Sequence, residues 1–584
     1  MSFLDVQSEW QYKFIPDVLG GINISEPSIS IEDNQFLIAK NVNYQHGRMN
    51  KESGYKTFGD VVRGEPRGTY QFYLTDGTSH LMLITNDTVY KYDQSEWQYV
   101  SDSTSTTTVN DEMAGNTVIE VNSTSGFSVS DYIALVLSDG TQHQTTIASI
   151  SAGVSITIDD AIPSGKNTGM GAIVLKAVDL SGNLDIQISV ITVPSHNWFV
   201  FTNGIDSPKR YDGTDCVDIP NLPSSGNTTC RVVTLFNDYL LLGHTTEGGT
   251  RYPQRVRWPD TADPTNWSTG NAGYRDLYDS EDWIIAVNHL GPYTIFYRER
   301  SIVRCSYLGS ADLLFDFETT INGEGALSQD SVIDLGDMHL FIGNSNVYEY
   351  RGGFDMSPVG DNIYYKVFGA QGELNAGNKQ RVFGLYVEEL DEVWFFYPPT
   401  GVEKPNRILR LSLQNNAWLT RDFNHDVVGF GLYQSTDDKT WNDLEGDWTA
   451  QDWTWDSRSV EDNAPTTHLC SADNLQVYEY DYVASTDDGT AISYEVVTKD
   501  FGHPKFKIRF DSYDFRIIGT DVLVEYSTDY GVSWNTLGTL SSSTIQKKTL
   551  HKQIVTNFLR LRLSGSDNFK LENVGIRYMQ ESEY

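Results

Sequence analysis

Cysteine is scarce in this chain. Its 584 residues include only Cys216, Cys230, Cys305 and Cys470, which are too few for a disulfide scaffold and too scattered for a CxxC zinc site. We therefore expect free thiols in a reducing compartment. The opening residues, MSFLDVQSEWQYKF, lack the basic segment and apolar run of a secretory signal.

Positive charge and long apolar runs are also scarce. There are 42 Lys and Arg against 79 Asp and Glu, for a formal net charge of −37. Gripping nucleic-acid phosphates or an anionic membrane needs clustered basic residues, so this charge argues against both functions. It does not argue against DNA that passes through an acidic conduit. No apolar stretch reaches the roughly 18 residues of a membrane span.

Motifs of familiar enzyme chemistry are missing as well. The chain has no GxGxxG after a strand, no P-loop, no HExxH and no GxSxG, and its 11 His are scattered. DGTD at Asp212 and TDDGT at Thr486 faintly resemble calcium loops but lack the D-x-D-x-D-G spacing, so we interpret both as turns. We predict no enzymatic activity, no cofactor and no metal site.

What is present is typical of β-structure. Aromatic residues make up 12% of the chain, and apolar residues alternate with period two between Gly, Asn, Asp and Pro. The stretch from Tyr70 to Tyr92 predicts three strands joined by short turns, and similar units recur from Asn197, Asp337, Val387 and Thr467. Units recurring about every 40–50 residues favour a β-propeller, whereas a stack of sandwiches would show less repetition. The best helix candidate is DNQFLIAKNV, capped by Asp33 or Asn34.

Composition divides the chain further. Aromatics nearly vanish in residues 101–176, which predict a small β-barrel inserted into a loop. Residues 481–584 predict an antiparallel β-sandwich. Residues 61–100 and 177–480 form the predicted propeller, and residues 1–60 pack on it or close it. The expected fold is all-β, with a propeller body, an inserted barrel and a C-terminal sandwich.

Two local patterns are candidate sites. STDYGVSW matches the Asp-box hairpin of sialidases and many unrelated β-proteins. Its Asp accepts backbone N–H groups, its Gly adopts positive φ and its Trp packs beneath. We interpret it as a structural hairpin, since a glycosidase needs a carboxylate pair and usually several boxes. Its residues are Ser527, Asp529, Gly531 and Trp534.

The second pattern is a tryptophan-rich acidic loop, WNDLEGDWTAQDWTWDSRSVEDN. An aromatic row of this kind could be a carbohydrate platform, or its indoles could pack on blade edges or on a neighbouring subunit. The tryptophans are Trp441, Trp448, Trp453 and Trp455.

Two longer segments resemble virion proteins of tailed bacteriophages. The N-terminal one has the order Gly-Gly-hydrophobic-Asn, Asn-Val, Gly and Gly-Tyr, carried by Gly20, Gly21, Asn23, Asn41, Val42, Gly47, Gly54 and Tyr55. The other resembles the RVRWSD-x-x-DP-x-x-W segment, with Pro259 where Ser is common. It is carried by Arg255, Arg257, Trp258, Asp260, Asp263, Pro264 and Trp267.

The family that the chain resembles is the tail hub or nozzle of short-tailed phages, the tail-tubular-protein-B-like group. The resemblance covers most of the chain up to about residue 480. It implies a β-propeller body and a virion protein made in the host cytoplasm. It also implies a homo-hexamer below the portal and its adaptor, which holds tail fibres or spikes and lets DNA pass without specific binding.

A competing class is a virion receptor-binding or glycan-cleaving propeller, which the Asp-box and the tryptophan-rich loop suggest. Tail spikes are usually trimers with fibrous or β-helical repeats, and none are seen here. Six-fold rings would favour the nozzle, and a sugar-bound trimer the receptor binder.

Overall fold

The structure is a computed structural model, and it describes residues 9–93, 95–182, 185–310, 313–369, 371–434 and 465–581. Regular structure in these ranges is almost entirely β-strand, which confirms the all-β class. Helix is confined to short turns. These are α1 (Tyr364–Val367) and the 3-10 segments Pro194–His196, Ser224–Gly226, Gln329–Ser331, Asp361–Ile363, Ala376–Arg381 and Glu388–Leu390.

The strands are numbered in chain order. The first nine are β1 (Gln11–Ile15), β2 (Phe36–Lys40), β3 (Val42–Gln45), β4 (Arg48–Lys51), β5 (Gly54–Phe58), β6 (Pro66–Tyr73), β7 (Ser79–Thr85), β8 (Val89–Asp93) and β9 (Glu96–Tyr99). Next come β10 (Ser101–Thr107), β11 (Glu112–Met113), β12 (Val118–Glu120), β13 (Tyr132–Val136), β14 (Gln142–Ser151), β15 (Ser155–Ile158), β16 (Asn167–Thr168) and β17 (Ile173–Ala177).

The middle of the chain contains twelve strands of the second unit described below. They are β18 (Ser189–Val193), β19 (Trp198–Thr202), β20 (Lys209–Tyr211), β21 (Cys216–Asp218), β22 (Thr228–Phe236), β23 (Tyr239–Glu247), β24 (Thr250–Trp258), β25 (Gly273–Asp276), β26 (Ile284–Leu290), β27 (Tyr293–Arg298), β28 (Ser301–Tyr307) and β29 (Phe315–Asn322).

The remaining strands extend to the C-terminus. They are β30 (Val332–Asp334), β31 (His339–Ile342), β32 (Val347–Tyr350), β33 (Met356–Pro358), β34 (Phe383–Val387), β35 (Glu392–Tyr397), β36 (Arg407–Ser412), β37 (Ala417–Asp422), β38 (Val427–Tyr433), β39 (Thr466–Ser471), β40 (Gln476–Asp481), β41 (Thr486–Asp487), β42 (Thr490–Ala491), β43 (Tyr494–Thr498), β44 (Phe501–Gly502), β45 (Ile508–Ser527), β46 (Asn535–Thr556), β47 (Phe558–Gly565) and β48 (Phe569–Gln580).

The chain divides into two compact units. The first consists of Met1–Lys56, Glu324–Asp426 and Tyr480–Tyr584, and the second of Thr57–Gly323 and Val427–Glu479.

The second unit contains a succession of antiparallel meanders. Strands β18–β21, β22–β25 and β26–β29 each form a four-stranded sheet in sequence order, and β6–β9 continue a sheet that includes β38 and β39. Tight turns make the meanders. Asn237 and Asp238 join β22 to β23 with φ of 47° and 64°, as a type I′ hairpin turn requires. The first strands of two consecutive meanders, β18 and β22, are hydrogen-bonded, because Ser189 Oγ accepts from the Val233 N–H at 3.0 Å.

Residues 101–177 form a sheet of their own within this unit, in the order β10–β17–β13–β14–β15–β12. Alternating apolar residues fill one side of it, including Ile133, Leu135, Ile147 and Ile156.

The first unit contains two more meanders, β30–β33 and β34–β37, and the long C-terminal strands. Strand β45 pairs with β46, β47 and β48, and the sheet continues through β43 and β2 to β37. No sheet closes on itself within the described ranges, so the propeller, the barrel and the separate sandwich remain predictions, as do the domain boundaries.

The predicted helix in DNQFLIAKNV is wrong. Residues Phe36–Lys40 form strand β2, which pairs with β43 on one side and β37 on the other. Phe36 and Ala39 are buried in the core of the first unit. Pairing to two strands satisfies the backbone on both edges, and this tertiary contact overrides a weak local helix signal.

Candidate functional site

The RVRW segment lies on β24 and places its two arginines on one face of a sheet. Arg255 and Arg257 are two residues apart, so their side chains project to the same side. Glu247 on the adjacent strand β23 receives both. Its Oε1 and Oε2 accept from Arg257 Nε and Nη2 at 2.8 Å each, and Oε2 accepts from Arg255 Nη1 at 3.2 Å.

Asp276 on β25 completes this network. It accepts from Arg255 Nε and Nη2 at 2.8 and 2.9 Å. This bidentate contact lowers the pKa of Asp276 and raises that of Arg255. Because Glu247 and Asp276 neutralise the guanidinium groups, the network clamps three strands together and has no free charge for phosphate.

An open groove of about 620 Å³ lies beside the network. Its rim carries Tyr274 and Tyr278, which are 52% and 73% exposed. The Arg255 guanidinium lies 4.0 Å from the Tyr274 ring centre, a cation–π contact. The lining residues are Tyr274, Arg275, Asp276, Leu277, Tyr278, Asp279, Val303, Phe317 and Thr319.

The second carboxylate of the groove is also held ionised. Arg298, whose side chain is fully buried, donates to Asp279 at 2.9 and 3.1 Å. The pKa of Asp279 is lowered: burial opposes ionisation, but the hydrogen bonds from Arg298 and Thr319 outweigh it. A glycosidase acid needs a carboxyl with a raised pKa, and neither Asp276 nor Asp279 meets that requirement.

The rest of the RVRW segment orders the loop after β24. Asp260 Oδ1 accepts from the Asn271 N–H at 2.8 Å, and Asp263 Oδ1 from the Thr265 N–H at 3.0 Å. The indole of Trp267 is buried and donates to the Pro264 carbonyl at 2.9 Å. These residues fix the backbone of the loop, and none of them lines the groove beside the arginine network.

Residues of the N-terminal segment singled out in the sequence also pack against neighbouring backbone. Gly21 has φ of +68°, and a Cβ there would lie 2.7 Å from the backbone nitrogen of Trp418. A Cβ on Gly54 would lie 1.8 Å from the Thr486 carbonyl oxygen. Asn41 accepts the Asp422 N–H at 2.9 Å through its side chain. These residues therefore lie where the chain around β2–β5 approaches the backbone of neighbouring segments.

The Asp-box residues form the turn between β45 and β46. Asp529 Oδ1 accepts from the Ser533 N–H at 2.9 Å, and Ser527 Oγ from the Gly531 N–H at 2.8 Å. Gly531 has φ of +90°. Trp534 is half-buried under the Arg562 guanidinium, 4.5 Å from its ring centre. Hydrogen bonds from Ser533 and Ser527 lower the pKa of Asp529 to about 2, so it accepts hydrogen bonds in the turn and is no proton donor.

Other predicted positions have simpler outcomes. Trp441, Trp448, Trp453 and Trp455 lie outside the described residues. The Asp212 side chain accepts the N–H groups of Thr214 and Asp215 in a turn. The four cysteines are free and buried.

In the part of the chain that the structure describes, no group of three or more His, Cys, Asp or Glu is placed to hold a metal ion. No helix there has the length and apolar content needed to cross a membrane.

A buried ion cluster in the first unit has no local signal in the sequence. Its members are Glu52, Glu392, Arg410, Arg421 and Asp487, all at most 2% exposed. Arg410 Nε donates to Glu392 Oε2 at 2.8 Å, and Arg410 Nη1 contacts Glu52 Oε2. Arg421 Nη2 donates to Asp487 Oδ1 at 2.6 Å. The cluster links β35, β36, β37 and β41.

Aromatic side chains enclose this ion cluster. Trp394 Nε1 donates to Glu392 Oε2 at 2.8 Å, and the Tyr480 hydroxyl donates to Glu52. Burial raises the pKa of Glu392 to about 8 and lowers that of Arg410 to about 10. The cluster has no exposed member, so it fixes strands and offers no surface to a ligand.

No family model and no curated protein matches the chain. Solved structures overlap weakly. The extracellular domain of a putative hybrid two-component system of B. thetaiotaomicron is 10% identical, with a TM-score of 0.25, over 74% of this chain and 52% of that one. The chain therefore spans about half of that neighbour.

Two further neighbours are similarly distant. An exo-beta-1,3-galactanase of Phanerochaete chrysosporium, solved with galactotriose, is 7% identical with a TM-score of 0.21, over 90% of this chain and 100% of that one. Hsv2 of Kluyveromyces lactis is 10% identical with a TM-score of 0.24, over 61% and 97%. TM-scores this low do not establish a shared fold, and no function is transferred from them.

Proposed function

We propose that this chain is a structural virion protein of a short-tailed bacteriophage, the nozzle or hub of its tail. In this role it forms part of a hexameric tube that ejects DNA and anchors fibres or spikes. The observation that carries the proposal is the order of the two segments that resemble phage tail proteins. In the N-terminal segment, Gly21 and Gly54 allow close approach of neighbouring backbone. In the other segment, Arg255 joins adjacent strands through its side chain.

A propeller body with an inserted barrel is part of this proposal. In the described ranges, six meanders of four consecutive strands follow one another along the chain, and a hydrogen bond joins the first strands of two of them, β18 and β22. Such repetition is typical of propeller blades, which bury their faces against each other. The sheet of residues 101–177 has the size and alternation of a small barrel.

The charge suits a conduit. One chain carries −37, and six copies would carry six times that. If acidic residues line the bore, they repel phosphates, so a duplex slides through without sticking. The proposed neighbours are the portal adaptor above and fibres or spikes outside.

Tail particles lacking this chain provide the test. Adding back the purified chain should restore DNA ejection and fibre attachment, with six copies in each tail. Failure of the chain to bind such particles would overturn the proposal.

A second candidate is glycan binding in the virion, which the groove between Tyr274 and Tyr278 favours. Exposed tyrosine rings beside ionised carboxylates can stack on a sugar and accept its hydroxyls. Host surface polysaccharide is the probe. Binding that Tyr278→Ala abolishes, by a chain that is absent from the tail tube, would favour this candidate.

A further inference from the structure

The dipeptide Asn-Gly occurs twice in the chain, at Asn203–Gly204 and at Asn322–Gly323. Asparagine is one of the thermolabile residues, because the backbone nitrogen of the next residue can attack its side-chain carbonyl carbon. When that next residue is glycine, no Cβ obstructs the approach. Both dipeptides belong to the second unit, so their surroundings in the fold decide which of them can react.

The fold holds the carboxamide of Asn203 in place. This residue is 6% exposed. Its Oδ1 accepts from the N–H groups of Ile205 and Asp206 at 3.0 and 2.8 Å, and its Nδ2 donates to Asp206 Oδ2 at 2.7 Å. The space around Gly204 is also filled, since a Cβ there would lie 2.8 Å from Ile186 Cγ2. Attack on this carboxamide would therefore break several buried hydrogen bonds, each of which costs free energy to lose.

Asn322 lies in more open surroundings. It is the last residue of β29 and is exposed, whereas Ile321 before it is buried. A Cβ on Gly323 would meet no atom within 4 Å apart from its chain neighbours. The Gly323 N–H donates to the Arg300 carbonyl at 2.8 Å, and Asn322 forms the terminal pair of β28 and β29 with Ser301. Strand ends open at a much lower free energy than the interior of a sheet, and this opening releases the Gly323 nitrogen.

We propose that Asn322 is a site of spontaneous deamidation and isoaspartate formation. The Gly323 nitrogen bonds to Asn322 Cγ, the bond from Cγ to Nδ2 breaks, and Nδ2 leaves as ammonia with the proton of the Gly323 N–H. Water then opens the succinimide ring: cleavage at Cγ leaves aspartate, and cleavage at the backbone carbonyl carbon leaves isoaspartate. The reaction consumes only water. It goes beyond the proposed tail function and does not rest on it.

Conversion changes the end of β29 in two ways. It adds a negative charge, because a carboxylate replaces the amide. Isoaspartate also brings the side-chain methylene carbon into the main chain, so the Gly323 N–H moves away from the Arg300 carbonyl and the pair between Asn322 and Ser301 is lost. The expected product has a locally opened strand end in an otherwise folded second unit.

The test follows both dipeptides in the full chain, incubated either folded or in urea, in water labelled with heavy oxygen. Peptide mass spectrometry measures conversion of the amide and incorporation of labelled oxygen at each site. An isoaspartate-specific methyltransferase detects the isoaspartate product. Asn203–Gly204 is the matched control within the same molecule, and Asn322→Gln is the control variant, because its longer side chain does not form the succinimide.

The two sites should convert at similar rates in urea, where neither is held by the fold. In the folded chain, Asn322 should convert at least about tenfold faster than Asn203, since its strand end opens more readily. Its rate should rise with pH, because the attacking nitrogen must lose its proton, and Asn322→Gln should give no labelled product at this position.

An Asn322 that stays an amide in the folded chain, over the time in which it converts in urea, would overturn the inference. Equal conversion of Asn203 and Asn322 in the folded chain would overturn it as well, because the fold would then not select the site. Neither result bears on whether the chain belongs to a phage tail.

Discussion

Removing Arg410 should unfold the first unit at a much lower temperature than the wild type. The guanidinium is fully buried between Glu392 and Glu52. In Arg410→Met, Glu52 loses its contact with Arg410, and Arg421 remains 3.7 Å from it. Breaking a buried ion pair from one side costs about 3–5 kcal/mol. At about 2–4 °C per kcal/mol for a unit of this size, the transition should fall by on the order of 10 °C.

The companion variant Glu392→Gln separates charge from packing. Burial already raises the pKa of Glu392 to about 8 and so favours its neutral form. Gln preserves an acceptor for Trp394 and Arg410. This variant should therefore lower the free energy of unfolding by less than half as much as Arg410→Met. Arg351→Met, on an exposed arginine, should leave the unfolding transition nearly unchanged.

Thermal and urea unfolding, followed by fluorescence of the buried Trp394 and Trp418, measure these differences. A cost for Arg410→Met within about 1 kcal/mol of the Arg351→Met control would refute the reasoning. It would mean that the cluster is hydrated or that the chain repacks around it.

Three further predictions concern titration, the hairpin and the thiols. Burial lowers the pKa of His244 to about 4 and of His468 to about 3. The unfolded chain therefore binds protons that the folded chain does not, and stability should fall as pH drops from about 6.5, by up to about 1.4 kcal/mol per pH unit for each histidine. A urea midpoint of the second unit that stays constant down to about pH 5 would contradict this. Asp529→Ala should remove the acceptor of Ser533 and speed amide exchange at the β45–β46 turn. Wild-type exchange rates there would count against it. Burial raises the pKa of all four cysteine thiols, so Ellman's reagent should detect them only after unfolding. Rapid labelling of the folded chain would contradict this prediction.

Sequence patterns anticipated the elements whose signals are local. Period-two alternation and turn residues predict strands such as β22 and β23, because Asn237 and Asp238 adopt the turn with little strain. The Asp-box geometry is likewise contained within eight residues of chain, Ser527 to Trp534.

Features that depend on distant partners were not predictable in this way. The sequence around β2 has a local helix signal, and its pairing with β43 could not be predicted because the paired residues are more than 450 positions apart. Arg410 and Glu52 occupy positions that look like solvent-facing strand residues, and only the fold brings them together in the core. The exposure of the aromatic side chains Trp10, Tyr12 and Phe14 could not be predicted either, because alternation alone does not say which face of a strand is covered.

The copy number and symmetry of this chain on a phage tail test the central claim most directly. Electron cryomicroscopy of tails that carry the labelled chain should show six copies in a ring around an axial channel, directly below the adaptor. A chain absent from the tail tube, or present as a peripheral trimer with bound saccharide, would contradict the account.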